Sequence, residues 1–199
     1  MSTIKTTNIT HGSNSGTNNL ILASDGKVSI ATKKLYCPGT IIQVLQTQKT
    51  DTGSSAAATF TNLTGMTVTI TPTAASSKIL ISSVLSGNGS AATYCHYFRY
   101  YRSISGGAAT AIGVGDAASN RQQAGWVQHT YPDGTLKCDT ISNQWLDSPN
   151  TTSAITYTIQ HRRSGSNAGT FYYGRNKDDN DSDTVARFPS TLTVMEVAG

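Results

Sequence analysis

Apolar and polar residues alternate along much of the chain with the period of two that a half-buried β-strand requires. In residues 66–71 every second side chain is apolar and the others are threonines, and residues 155–160 repeat the pattern. The same reasoning predicts strands at residues 40–45, 78–85, 94–102, 170–173 and 191–197, and weaker ones at 110–114, 126–131 and 137–141. Gly87-Asn88-Gly89 is predicted to close the 78–85 strand in a turn. No helical pattern separates these runs. The sequence therefore predicts about eight to ten strands in an all-β antiparallel sandwich that is jelly-roll-like.

Residues 1–38 differ from the rest and are predicted to form an extended N-terminal arm, with the sandwich at residues 39–199. Two short apolar runs, Leu20-Ile21-Leu22 and Val28-Ser29-Ile30, flank an Asp-Gly turn, which is typical of a hairpin. Such a segment has too little apolar area to fold alone. We therefore expect the arm to pair with another chain and to attach the protein to its partners.

Composition narrows the class of protein. Thr and Ser make up more than a quarter of the chain, and Glu196 is its single glutamate. Charged residues reach 13%, against about 25% in typical proteins, and the net charge is +4. These values exclude a helical bundle and a highly charged disordered chain. No apolar run approaches 18 residues, and the N-terminus lacks a signal-peptide core, so we expect no membrane insertion and assembly in a cytoplasm.

The charged pairs and the cysteines exclude further classes. Lys33-Lys34 and Arg162-Arg163 are isolated pairs rather than the basic stripe that nucleic-acid binding needs, so no nucleic-acid partner is expected. The cysteines at 37, 95 and 138 lie far apart and are odd in number, which indicates reduced and mostly buried thiols.

Enzymatic chemistry has little support in the sequence. No Gly-x-Ser-x-Gly elbow or cysteine-nucleophile signature accompanies the four histidines, so each histidine is interpreted as an ordinary strand residue. A glycosidase needs two facing carboxylates. The aspartates that would have to supply them are predicted to lie in turns: Asp116, Asp133, Asp139 and Asp147. We therefore predict that the protein is not an enzyme.

Two groups of residues are candidate sites. Asp179, Asp181 and Asp183 have the alternate spacing with which a calcium-binding loop begins, so Ca²⁺ is a candidate cofactor there. The turn glycine and the closing glutamate of an EF-hand are missing, and a solvated loop without metal is the alternative. Trp126, His129 and Tyr131 precede the Pro132-Asp133-Gly134 turn. Aromatic rings near a loop tip suit sugar binding, and packing in the core is the alternative for Trp126. We predict weak, multivalent binding of a host surface glycan there.

An ordered series of segments resembles a known group of proteins. It begins with Thr71-Pro-Thr-Ala-Ala-Ser-Ser-Lys-Ile-Leu80 and Tyr97-Phe-Arg-Tyr-Tyr-Arg102. It continues with Ala111-Ile-Gly-Val-Gly-Asp-Ala-Ala118, residues 146–157 and Ser190-Thr-Leu-Thr-Val-Met-Glu-Val-Ala-Gly199. Together these look like the β-rich distal modules of tail-fibre and related virion proteins of marine tailed phages, especially those that infect cyanobacteria. The arm, at residues 6–10 and 19–28, resembles the segment that precedes this module.

The resemblance implies a non-enzymatic virion component, usually a homotrimer, displayed on tail or capsid. It brings no catalytic residues. Because the chain lacks a long shaft, it would be a short tail fibre or a receptor-binding tip. A capsid decoration, cement or head-fibre protein is the alternative, and a free carbohydrate-binding sandwich is the second. The strands at 94–102 or 155–161 are expected to lie near the trimer axis.

Overall fold

The computed structural model describes residues 8–9, 20–22, 24–25, 28–29, 37–90, 94–130, 137–165 and 169–199. Within these residues every regular element is a β-strand. In chain order the strands are β1 (Asn8–Ile9), β2 (Leu20–Leu22), β3 (Val28–Ser29), β4 (Ile41–Lys49), β5 (Gly53–Ser55), β6 (Thr61–Ile70), β7 (Lys78–Gly89), β8 (Cys95–Ile104), β9 (Thr110–Ile112), β10 (Trp126–His129), β11 (Asp139–Asp147), β12 (Ile155–Arg163), β13 (Phe171–Tyr173) and β14 (Ser190–Val197).

Two antiparallel sheets form the sandwich. The front sheet has the order β10-β8-β12-β6, with β9 also paired to β8, and the back sheet has the order β4-β14-β7-β13-β5, with β11 paired to β7. The predicted all-β antiparallel sandwich is confirmed. The predicted arm hairpin is present too, because β2 pairs with β3, and β1 adds a third strand to that separate sheet. The domain boundary at residue 38 stays a prediction.

The core lies between the two sheets and follows the predicted alternation. Ile155, Tyr157 and Ile159 of β12 are fully buried, and Ile79 and Ile81 of β7 face them from the back sheet. Each large apolar side chain removed from water contributes about 1.5–3 kcal/mol. The polar residues between them lie on the outer faces, so the alternation decides which side chains are available to partners.

β7 continues four residues beyond the predicted run, through Gly87-Asn88-Gly89, where the sequence predicted a closing turn. This prediction is wrong because these residues pair with Phe171–Tyr173 of β13. A Cβ on Gly87 would meet the Tyr172 carbonyl oxygen and the Phe171 ring, and one on Gly89 would meet His96 and Thr130. The glycines are therefore needed for close packing inside a strand rather than for a turn.

Two further expectations need correction, the position of two aspartates in turns and the start of β6. Asp139 and Asp147 were predicted to lie in turns, but they begin and end β11, and Asp147 is buried beneath an arginine. β6 begins at Thr61, before the predicted alternation, because Gly65, with a φ of +81°, forms an irregularity that brings both Leu63 and Met66 into the core.

The three cysteines are free thiols, and the expectation of burial is wrong for Cys37. Cys37 is exposed because it stands at the turn that leads into β4, whereas Cys95 and Cys138 are half-buried. Among the residues that the structure describes, no helix has the length and apolar character needed to cross a membrane.

Candidate functional site

The outer face of the front sheet carries arginine and aromatic side chains. Strand pairing places Tyr97 opposite Arg162 and Arg99 opposite Gln160. The Arg99 guanidinium lies 3.9 Å from the centre of the Phe60 ring and donates a 2.8 Å hydrogen bond from Nε to the Gln160 Oε1 atom. Arg162 approaches the same ring at 5.8 Å. The face is therefore positively charged and aromatic.

A pocket opens beside these side chains and is called the Tyr97 pocket here. Its volume is about 410 Å³, and it lies where β8 and β12 meet the loop between β9 and β10. Its lining combines aromatic, amide, hydroxyl and guanidinium groups: Tyr97, Asn120, Arg121, Gln122, Arg162 and Ser164, with Gly165 at the same edge. Arg162 donates Nη1 to Gln122 and Nε to the Arg163 carbonyl oxygen, which fixes the guanidinium at the pocket.

Two residues of the predicted sugar site at Trp126, His129 and Tyr131 lie on opposite faces of β10. The half-buried Trp126 ring packs inward, 5.8 Å from the Phe98 ring and 4.8 Å from the Tyr100 ring. His129, three residues along the same strand, lies exposed on the opposite face. Tyr131 lies outside the described residues. The ligand assignment at these residues stays a prediction, and the geometry of Trp126 is that of a packing residue.

An aspartate of the aspartate-rich loop forms ion pairs with two arginines. Asp179 contacts Arg187 at 2.7 Å and Arg175 at 3.6 Å, and an open depression of about 390 Å³ lies beside it. Asp181 and Asp183 are exposed. In the described parts of the chain no three His, Cys, Asp or Glu side chains converge as a metal ion requires. The Asp179 carboxylate is thus already neutralised by side chains, and calcium binding stays a prediction.

A buried histidine pair was not predicted as a pair. His96 and His161, both fully buried, share a hydrogen bond of 2.9 Å, and the Ser55 hydroxyl lies 2.8 Å from His161 Nδ1. Burial lowers the pKa of His96 to about 4. Burial, and then the charge of His96, lower the pKa of His161 to about 3. The phase of His96 with Phe98, inside an alternating strand, was the available sequence signal for its burial.

A buried carboxylate also escaped the sequence interpretation. Arg102 Nη1 donates to both carboxylate oxygens of Asp147, at 2.8 and 2.9 Å, and the Tyr157 hydroxyl donates to Oδ2 at 2.7 Å. Burial, and then the hydrogen bond and the charge of Asp147, raise the pKa of Tyr157 well above its usual value. Because the Asp147 carboxylate accepts from both Arg102 and Tyr157, this cluster ties β8, β11 and β12 together rather than offering a reactive group.

Glu196 is a structural carboxylate as well. Its Oε1 accepts hydrogen bonds of 2.7 Å from the Thr73 backbone nitrogen, the Thr73 hydroxyl and the Ser77 hydroxyl. Gln43 donates to Oε2 at 2.6 Å. Burial alone would raise the pKa of Glu196, but these hydrogen bonds outweigh it and hold the pKa below its usual value. Such a group stabilises the fold and is not available as a general acid.

The outer face of the back sheet is uncharged over three rows of side chains. One row, called the apolar row here, crosses four strands with Val44, Met195, Leu80 and Leu146 in register. Val44 and Leu146 are 53% and 47% exposed. The two rows beside it contain only Gln, Thr, Ser and one Val: Gln46, Thr193, Ser82 and Gln144, then Gln48, Thr191, Val84 and Ser142. On its other side the apolar row is followed by Val197 and the exposed Lys78, so the uncharged surface is limited to these three rows. An apolar row with neutral polar rows beside it is typical of a protein interface.

Neither a protein-family model nor a curated protein sequence matches the chain. Solved structures give a partial likeness. The Gt strain structure of infectious bursal disease virus is 13% identical, with a TM-score of 0.41 over 92% of this chain and 47% of that chain. The VP2 subviral particle of the same virus is 15% identical, with a TM-score of 0.36 over 79% of this chain and 38% of that chain. The chain spans less than half the length of these viral chains, and likeness at this level carries no argument about function.

Proposed function

We propose that this protein is a structural component of a phage virion, a short tail-fibre or receptor-binding tip that acts as a homotrimer and catalyses no reaction. The proposal is carried by the three uncharged rows on the outer face of the back sheet, one of which is the apolar row. The resemblance of the sequence to distal modules of tail-fibre proteins supports the same conclusion. The localisation that follows is the virion, after assembly in the host cytoplasm.

The back-sheet face suits contact with further copies of the chain. Charged residues are depleted at interface cores, and the three rows of this face contain none. The polar side chains of the neighbouring row are also largely satisfied within the face, since Gln46 donates to the Thr193 hydroxyl at 2.7 Å and Gln144 to the Ser82 hydroxyl at 3.4 Å. Covering this face would therefore remove apolar surface from water with a small loss of hydrogen bonds to water.

In this proposal the back sheet replaces the front-sheet strands that the sequence suggested for the trimer axis. The outer face of those strands carries Arg99 and Arg162, for which no carboxylate partner is present among the described residues. A threefold axis at that face would bring like charges from three copies together. Repulsion between partly buried guanidinium groups opposes such an arrangement.

The oligomeric state tests the interface. By light scattering at micromolar concentration we expect a trimer of about 63 kDa, three times the 21.0 kDa of one chain. Leu146→Lys places a charge in the apolar row and should yield monomers that keep the β-sheet circular dichroism spectrum. Val127→Lys is the matched control, because Val127 is 51% exposed on the other sheet, and it should leave the trimer intact. A monomeric wild-type protein, or a trimer lost only in Val127→Lys, would overturn the interface.

Attachment to the particle is proposed to depend on the N-terminal arm, which would bind other virion proteins. Deleting residues 1–35 should leave the sandwich folded, because β4 begins at Ile41 and the backbone of Gly39 is hydrogen-bonded to Ala198 within the sandwich. The truncated protein should fail to bind particles that lack the full-length protein. Unchanged occupancy of the truncated protein would contradict this role.

Labelling of intact particles distinguishes the alternatives. Electron microscopy with an antibody against the sandwich should mark the tail tip if the protein is a tail-fibre tip. Labels over the head would support the capsid decoration or head-fibre alternative. Absence of label from purified particles, in a preparation where other virion proteins are labelled, would favour the free carbohydrate-binding sandwich.

A further inference from the structure

Three arginines near the Tyr97 pocket lack the carboxylate partner that other arginines of the chain have. Arg102, Arg175 and Arg187 each contact an aspartate at 3.6 Å or less. By contrast, Arg99, Arg121 and Arg162 make no ion pair with any carboxylate among the described residues. Burial, together with the positive charge of Arg162, lowers the pKa of Arg99. The front-sheet face therefore holds positive charge that nothing in the described chain neutralises.

The guanidinium of Arg162 is oriented before any ligand arrives. Its Nη1 bonds Gln122 and its Nε bonds the Arg163 carbonyl oxygen, so Nη2 is left for a ligand at the pocket. Arg121 lines the same pocket from the loop that follows β9. A guanidinium nitrogen can donate a charge-assisted hydrogen bond to a carboxylate or sulfate oxygen, and a pre-oriented side chain loses little entropy on binding.

The remaining lining favours a saccharide. Tyr97 supplies an aromatic ring against which the C–H face of a pyranose can pack, and Asn120, Gln122 and Ser164 supply groups that hydrogen-bond hydroxyls. A volume of about 410 Å³ falls within the range of small-ligand sites. A nucleic acid would need basic groups spread along a strand path, whereas here they converge on one pocket.

We propose that the Tyr97 pocket binds an acidic saccharide, with a carboxylate or sulfate group between Arg121 and Arg162 and a sugar ring against Tyr97. The Tyr97 pocket would be the receptor-binding site of the proposed tail-fibre tip, and its biological role rests on that proposed function. It also places recognition on the sheet opposite the proposed subunit interface, so that three sites of a trimer would remain accessible.

Direct titration tests the site on the full-length protein. The probes are tetragalacturonate, a chondroitin sulfate tetrasaccharide, neutral maltotetraose and a short oligothymidylate, each followed by NMR or calorimetry. We expect the acidic saccharides to bind with millimolar dissociation constants. Raising the salt concentration from about 50 to about 200 mM should weaken this binding several-fold, because salt screens ionic contacts and the Debye length is about 10 Å in this range. Binding of the carboxylated probe alone, or of the sulfated probe alone, identifies the anionic group and supports the site.

Charge-matched variants locate the binding. Arg162→Gln and Arg121→Gln should each weaken binding at least about tenfold, the loss typical of a charge-assisted hydrogen bond. Arg187→Gln removes the same charge beside Asp179 and should leave binding unchanged. Equal binding of maltotetraose, tighter binding of oligothymidylate, or equal loss in Arg187→Gln would overturn the proposal.

The saccharide-binding experiment and the trimer experiment can succeed or fail independently. A trimer without saccharide binding removes this site and leaves the virion role standing. A monomer that binds acidic saccharides through Arg162 keeps the site and removes the proposed assembly.

Discussion

The Nδ1 atom of His96 and the Nε2 atom of His161 lie 2.9 Å apart, so two buried imidazoles on neighbouring strands share one hydrogen bond. The rings are stacked at 5.1 Å and pack against Phe171 of the opposite sheet. No carboxylate is hydrogen-bonded to either ring among the described residues. The pair is therefore held in its neutral form by burial, and a proton added to either ring has no compensating charge.

This pair should make the fold sensitive to mild acid. The folded pKa of His96, about 4, lies below its ordinary value of 6.5, so the stabilisation is fully present above pH 6.5 and is lost as the pH falls toward 4. His161, with a folded pKa of about 3, acts in the same direction. His96 alone corresponds to a loss of about 3 kcal/mol in the free energy of unfolding. Urea unfolding at steps between pH 7.5 and 4.5 measures it.

A substitution shows whether the histidines cause that slope. His161→Gln keeps a polar partner for Ser55 and His96 but cannot become charged in this range. The variant is expected to be less stable at pH 7.5 and to lose less stability on acidification than the wild type. A wild-type free energy of unfolding that stays constant from pH 6.5 to 4.5 would contradict the role of the pair.

Asp147→Asn should destabilise the sandwich by about 2–4 kcal/mol, because it leaves the mostly buried Arg102 without its carboxylate. The Tyr157 hydroxyl can still donate to the amide oxygen, so the loss comes chiefly from the arginine. Chemical unfolding measures the effect. Asp183→Asn, at an exposed position, is the control and should behave as the wild type. Equal stability of both variants would show that the ion pair contributes nothing net.

Glu196→Gln should lower the free energy of unfolding by about 1–3 kcal/mol. The new amide nitrogen must face a hydrogen-bond donor, either the Gln43 amide or the Thr73 backbone nitrogen, in place of a carboxylate oxygen that accepted from it. The pKa of Glu196 is lowered in the folded protein, so the carboxylate stabilises the fold above its ordinary pKa of 4.5, and this stabilisation is lost as the pH falls through the lower folded value. The difference in unfolding free energy between wild type and variant should therefore narrow below pH 4.5. A difference that is independent of pH would contradict the assignment.

Trp126→Ala separates packing from ligand binding. Because the ring stacks on Phe98 and lies against Tyr100, we expect a loss of about 2 kcal/mol, or a fall of about 4–8 °C in the melting temperature. Val127→Ala, at a 51% exposed position of the same strand, should leave the melting temperature nearly unchanged. An unchanged melting temperature in Trp126→Ala with lost adsorption to cells would instead support the predicted sugar site.

The sequence by itself determined the fold class and the inward face of most strands. Alternation is a local property, because successive side chains of a strand point to opposite faces whatever the strand pairs with. The burial of Ile155, Tyr157 and Ile159 follows from it, and so does that of Glu196, which is in phase with Val194. The Asp-Gly turn of the arm likewise specified a hairpin from neighbouring residues alone.

Tertiary structure decided which distant residues become neighbours. The glycines at 87 and 89 resembled a turn until the Phe171–Tyr173 strand required close packing over them. The apolar row joins side chains of four strands, and the Tyr97 pocket joins two strands to a loop. Alternation assigns a residue to a face but does not fix the register between strands far apart in sequence. That register depends on packing between whole sheets, which no local pattern of residues contains.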